Sequence, residues 1–361
     1  MRVKLKDVCE KATSNLKQSD ILSLDGKYPV YGASGYLGNI DSYHQDKPYI
    51  AVVKDGAGIG KTTILPPKSS VIGTMQYLIP KENVMPEYLY YVVKHMRLQK
   101  YYTGATIPHI YFKDYQNEEF NLADSIRQRE IVKVLKNVED TIRYQKIEIN
   151  KFDELIKARF IEMFGDLKNN EKDWDLKTFE EMSVLITDGE HSTPKRTKEG
   201  IYLLSARNVL NHSLQLKDVD YINRDEYLRI AKRVVPKKGD ILISCSGTIG
   251  RCCSVPDSLQ LQMVRSVALI RFKEVINPIF AEYMITSDYL QEQINSSKTM
   301  SSQANLFQGK IRKLKGFLPP TELQQQFADF VRQVDKSREE VKKSLEKTQQ
   351  LYDSLMQEYF G

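Results

Sequence analysis

Ten positions, Ile131, Leu135, Val138, Ile142, Gln145, Ile149, Phe152, Ile156, Arg159 and Met163, follow one another at steps of four and three, and eight of them are apolar. Apolar residues at that alternating step form one stripe along an α-helix, the seam of a coiled coil. Adding 196 to each number gives Phe327, Val331, Val334, Arg338, Val341, Leu345, Thr348, Tyr352, Leu355 and Tyr359, again eight apolar out of ten. Ser125 with Gln128, and Thr321 with Gln324, read as capping boxes at the two starts. Phe164-Gly165 and Phe360-Gly361 read as glycine-terminated ends. The pattern predicts two helical rods of about forty residues, roughly 60 Å each at the helical rise of about 1.5 Å per residue. Each is the obvious partner for the seam of the other.

Between the rods the period changes. Tyr49 to Val53 reads as a buried strand followed by the glycine-rich loop Gly56-Ala57-Gly58-Ile59-Gly60-Lys61, and Asp240 to Ser244 reads as a strand followed by Ser246-Gly247-Thr248-Ile249-Gly250-Arg251. Pro86 and Pro278 each open a helix. The polar segments Thr103–Ile110 and Ser302–Leu306 then precede each rod. The order repeats at a nearly fixed offset, so the chain is a duplicated unit of globule plus rod. Four domains follow: globule 1–123, helix 124–165, globule 166–318 and helix 319–361. The second globule carries a polar front from Asp188 to Arg196, then Gly200 to Asn208, that has no close counterpart in the first.

Charge sharpens this division. The net charge of +6 separates into +3 for 1–123, +1 for 124–165, +4 for 166–318 and −2 for 319–361. The positive excess sits in the globules and fits a polyanionic partner, although a solvated surface has a similar composition. The four cysteines, Cys9, Cys245, Cys252 and Cys253, show no metal or disulfide spacing and read as free thiols of a reducing compartment. No apolar run approaches a signal peptide or membrane span, so a cytoplasmic chain without a membrane partner is expected.

Catalytic constellations are missing from the sequence. A phosphate-binding loop ending at Gly60-Lys61-Thr62 would need glycine where Asp55 stands. The five histidines have no ligand spacing, and neither Pro-Pro pair has the flanking residues of an adenine methyltransferase motif. No bound cofactor or metal is expected. The remaining candidates are polar loop residues beside strands. Lys54, Lys61, Lys113, His191, Thr193, Lys195, Arg196, Arg207, Asn208 and Arg251 are candidates to hold phosphates or read base edges, and Gln303 and Asn305 to pair with adenine. Each has an alternative reading as a solvated surface group or turn cap.

Taken in order, these residues resemble the specificity subunit of type I restriction–modification systems. The likeness covers essentially the whole chain. It rests on the order globule, rod, globule, rod; on Gly239 to Ser244 leading into Ser246-Gly247-Thr248-Ile249-Gly250; on Asp188-Gly189, His191 and Thr193-Pro194-Lys195 ahead of Gly200-Ile201; and on Leu318-Pro319-Pro320 entering the second rod. The resemblance implies an α/β fold of two target recognition domains separated by two long helices in an antiparallel coiled coil. It further implies reading of a bipartite, asymmetric double-stranded DNA site, with the rods setting the gap. The family's methylation subunits, two copies carrying S-adenosylmethionine and the chemistry at adenine, would dock here, and a restriction subunit can join them. Ile147, Leu155, Phe160 and Phe164 lie off the seam and are candidates for that docking or for core packing. A coiled-coil scaffold or DNA-binding adaptor without a restriction role is the alternative.

Overall fold

The computed structural model describes residues 1–21, 26–104, 108–296 and 305–361. Two forty-residue helices, Ser125–Phe164 and Thr321–Phe360, run through it. The chain divides into two compact units, one of residues 1–148 with 341–361, the other of residues 149–340. Each long helix therefore contributes to both units, and the division departs from boundaries drawn at the helix ends.

In the first unit the helices are antiparallel neighbours. The Glu139 carboxylate accepts from Tyr352 Oη at 2.9 Å, and Gln145 Nε2 donates to Ser344 Oγ at 2.8 Å, so partner numbers fall on one helix as they rise on the other. Ile131, Leu135 and Ile142 pack with Tyr352, Met356 and Phe360 against Tyr88, Leu89 and Val92 of the helix Pro86–His95. A four-stranded antiparallel sheet in the order Cys9–Thr13, Met75–Pro80, Tyr49–Val53, Thr62–Leu65 supplies the rest of this core. Tyr49 to Val53 is buried throughout, as a central strand with both faces covered requires.

The second unit repeats the design. Its sheet runs Ser183–Asp188, Val267–Phe272, Ile241–Ser244, Cys252–Ser254, the same order by position. Arg338 of the second long helix donates to Asp153 of the first at 2.7 Å, again antiparallel. Ile156, Phe160 and Phe164 pack with Phe327, Val331 and Val334 onto Phe280 and Met284 of the helix Pro278–Thr286. A second four-stranded sheet, Arg196–Thr197, Asp220–Ile222, Ile201–Leu204, Leu261–Met263, forms the front. The expectation that this front has no counterpart is corrected: the first unit has a three-stranded sheet, Gly35–Ile40, Tyr28–Gly32, Ser70–Val71, with the same antiparallel and parallel pairings, and among the described residues lacks only an equivalent of Arg196–Thr197.

Along the seam Ile131, Leu135, Ile142, Ile156, Phe327, Val331, Val334 and Tyr352 are buried, and Val138, Ile149, Phe152, Val341, Leu345 and Leu355 are half-buried. For two of the off-seam positions core packing, not docking, is the outcome. Phe160 and Phe164 do not face solvent: Phe164 is only 1% exposed, its ring 4.9 Å from Phe280 and 5.6 Å from Phe327. Near the helix ends the partner is a globule as well as the other helix, so the buried stripe widens. Ile147 and Leu155 are exposed.

The capping boxes are replaced by something else. Asp124 caps the first long helix by accepting from Ile126 and Arg127 N–H groups. Gln128 is buried instead, accepting from Met85 N–H and donating to the carbonyls of Asn83 and Ala123. Gln324 is buried in the same way, accepting from Asn277 N–H and donating to the carbonyls of Val275 and Pro319. In both units one amide thus ties the entry of the proline-started helix to the entry of the long helix, satisfying backbone groups that burial would otherwise leave unpaired.

Candidate nucleic-acid interface

Both glycine loops grow directly out of a buried strand and close on it. Gly60 N–H donates to the Val53 carbonyl at 2.8 Å and Gly250 N–H to the Ser244 carbonyl at 2.9 Å. Gly56, Gly60, Gly247 and Gly250 all have positive φ, which only glycine adopts without strain. The segment before each long helix lies against its loop: Asp55 bridges to His109, and Ser246 to Asn305. Each unit therefore presents a rigid loop and a polar segment side by side.

In the first unit Lys54 is paired with Asp55 at 2.5 Å, and the other oxygen of Asp55 bonds His109 Nδ1 at 2.6 Å. Burial works to raise this carboxyl, but the hydrogen bonds from Lys54 and His109 outweigh it and hold Asp55 below the usual carboxylate range. Lys61 donates to the Ala33 carbonyl at 2.9 Å, and Lys113 Nζ lies 5.4 Å above the Tyr111 ring. Lys54 and Lys113 flank one segment, while Lys61 leaves the far end of the loop toward residue 33.

The front of the second unit is a network of opposed charges. Arg196 Nε binds Asp220 at 2.9 Å, and Arg207 reaches Asp220 at 3.4 Å and Asp218 at 3.7 Å. His191 Nε2 lies 2.8 Å from Asp188, whose second oxygen takes Arg233. Arg229 binds Glu226 at 2.9 Å and reaches Glu190 at 3.5 Å. The bonds from Ser192 hold Glu190 below its ordinary range, and those from Arg229 do the same for Glu226. Lys195 binds Glu226 through its backbone N–H, and Thr193 is exposed beside it. Gly189 sits so tightly that a Cβ would lie 2.3 Å from the Met263 carbonyl oxygen, which explains glycine at the turn of this front.

Arg251 donates to the Ala206 carbonyl at 2.8 Å, joining its glycine loop to the turn that carries Arg207. Asn208 is corrected as a contact residue. It is fully buried, accepts from Ser205 N–H and Oγ, and donates to the carbonyls of Gln215 and Asp218, so no edge is left for a base. Asn305 lies beside its loop, and Gln303 lies outside the described residues. Sequence reasoning passed over Asp220, Arg229 and Arg233. The only local signal was Glu226 and Arg229 three apart on the helix Arg224–Ala231.

Most cations of the second front are therefore held by carboxylates while their side chains stay about half exposed. That arrangement suits directional hydrogen bonding more than bulk attraction. Among the described residues no group of three or more His, Cys, Asp or Glu is arranged to hold a metal ion, and no helix is long and apolar enough to cross a membrane. All four cysteines are buried, and burial pushes the thiols of Cys9 and Cys245 up to about 12.

The type I restriction modification DNA specificity domain matches residues 1–152 and 171–350. The chain is 22% identical over 335 residues to the type I restriction enzyme MjaVIII specificity subunit of Methanocaldococcus jannaschii, covering 84% of this chain and 77% of that protein. Its fold is similar to the crystal structure of a type I restriction–modification S subunit from M. genitalium, with a TM-score of 0.62 at 14% identity, covering 100% of this chain and 96% of the other. A chain from a structural study of complex assembly and conformational transition in a type I R-M system matches equally, with a TM-score of 0.62 at 13% identity, covering 99% and 97%.

Proposed function

The chain belongs to the type I restriction modification DNA specificity family, and on that premise we propose that each of its two units reads one half of a bipartite DNA site. The observation that carries this reading is a repeated frame with unlike fronts. The glutamine ties and the closure of the glycine loops recur in both units, whereas the front sheets differ in what they bear: the second adds the strand Arg196–Thr197 and the Arg196–Asp220 pair, and the three-stranded sheet of the first has neither. Equal frames with different polar surfaces suit two different half-sites, hence an asymmetric site.

Lys54, Lys61, Lys113 and Lys195 contact phosphates and fix register, while Arg196 and Arg207 read base edges through the guanidinium edge that Asp220 leaves open. The chemistry is delegated. Two methylation subunits, with S-adenosylmethionine bound to them, act on the adenines selected here, and a restriction subunit completes the assembly. The exposed Ile147 and Leu155 offer apolar contacts to such subunits.

Genome-wide adenine methylation, read by single-molecule sequencing with and without this gene beside its methylation subunit, tests the reading. A split motif that appears only with the gene is expected. Absence of new methylation from an assembled complex would leave a scaffold in its place.

A further inference from the structure

The duplication allows each position to be compared with its counterpart in the same chain. Tyr111 and Phe307 are counterparts at the offset of 196 residues that relates the long helices. In each unit the preceding residue is pinned to the segment leading into the glycine loop: Ile110 N–H donates to the Lys54 carbonyl and Leu306 N–H to the Cys245 carbonyl, both at 2.9 Å. Ile110 and Leu306 are buried, as are Tyr115 and Ile311 four residues beyond the rings. Tyr111 and Phe307, between these anchors, are 49% and 59% exposed.

The Tyr111 ring stacks on His109 with centroids 6.4 Å apart, yet about half of each aromatic residue stays open to solvent. Each sits at the N-cap of a short helix, Phe112–Tyr115 or Gln308–Lys313, and neither caps it with a side-chain hydrogen bond. Ser, Thr, Asp or Asn is the ordinary choice there. A single exposed aromatic residue is unremarkable. Two at the same anchored place, in units whose loop side chains otherwise differ, call for a shared role. Cations lie close to both: Lys113 lies over the Tyr111 ring on a helix that also carries Asp114, and the helix after Phe307 carries Lys310, Arg312 and Lys313, with Arg312 reaching Glu180 at 3.3 Å. Aromatic rings among cations beside a rigid loop are the composition of a surface that touches bases.

We infer that Tyr111 and Phe307 are base-contacting residues, one for each half-site, each packing its ring on a thymine methyl edge or wedging it at a base step next to its glycine loop. The inference rests on the reading of each unit as a half-site reader. The contact adds affinity through apolar area and stacking, not through charge.

The test uses the complex assembled with its methylation subunit and three duplexes: the intact site, and the site with either half scrambled. Tyr111→Ala should lower affinity for the intact duplex roughly ten-fold, the scale of one aromatic–base contact, and the loss should vanish when one particular half is scrambled. Phe307→Ala should do the same for the other half. Tyr111→Phe should retain affinity, and the salt slope of all variants should match the wild type because no phosphate contact is removed. Wild-type affinity in both alanine variants overturns the inference and leaves half-site reading intact. Equal losses on all three duplexes, or failure to assemble with the methylation subunit, overturns it as well, the latter making the rings a protein contact. A wild-type complex that binds all three duplexes equally brings down the underlying reading together with the inference.

Discussion

The buried amides of Gln128 and Gln324 each close three hydrogen bonds with backbone groups at the helix entries, and no other residue type of that length both donates and accepts there. Gln324→Ala leaves an N–H and two carbonyls unpaired, so the second unit should lose roughly 2 kcal/mol or more, at about 1–3 kcal/mol for each unsatisfied buried group. Urea midpoints measure it. Asp55 gives a pH dependence. Its folded pKa lies below its unfolded one, so its contribution is present above about pH 4 and disappears as pH falls through the folded value. Asp55→Asn should therefore cost stability at pH 7 and much less at pH 3, read from the separation of the two urea curves at each pH. The sequence marked both glutamines as helix-start residues, but two of the three partners of each lie more than forty positions away and leave no local trace. Arg196 and Arg207 were legible as cations. Their shared anchor Asp220, 24 and 13 residues on, was not.

The long helices and the proline-started helices were readable because a 3.5-residue period and a proline at the first turn are properties of contiguous sequence. Which side of a helix meets a globule is a property of the assembled unit, and for that reason the sequence left Phe160 and Phe164 open between docking and core packing. Phe164→Ala, in the ring cluster with Phe160, Phe280 and Phe327, should cost about 3–5 kcal/mol. Leu155→Ala, on the exposed face, should stay within about 0.5 kcal/mol. Thermal denaturation of the two variants side by side separates stripe from surface. Asn208 failed as a contact residue for a related reason: an Asn after a strand reads the same from sequence whether its amide points to solvent or closes a turn.

At the scale of the molecule, each unit takes residues from both long helices, and modular exchange should follow that division. Replacing 166–318 with the equivalent segment of a relative separates Phe280 from Phe160, Phe164 and Phe327 and should give a less stable protein. Replacing 149–340 moves the whole cluster and should yield a stable one with only one half of its methylated motif changed. Methylation sequencing and a melting curve together decide between the two exchanges, and a change in both half-sites would sink the modular reading. Removing seven residues from the middle of each long helix, about 10 Å of rise at about 1.5 Å per residue, should shorten the gap between half-sites by about three base pairs and leave the half-sites unchanged.

The shared helices also have a consequence for biosynthesis. Tyr352, Met356 and Phe360 belong to the core of the unit that begins at Met1. Residue 148 leaves the peptidyl-transferase centre long before residue 341, a delay of about 10–40 s at roughly 5–20 residues per second. The unit made first is thus the last to be completed, and until then Tyr88, Leu89 and Ile131 lack the side chains that cover them. A ribosome stalled after residue 340 would hold a second unit with all its residues and a first unit without its closing helix. Chaperone demand on the nascent chain should accordingly fall on the N-terminal half.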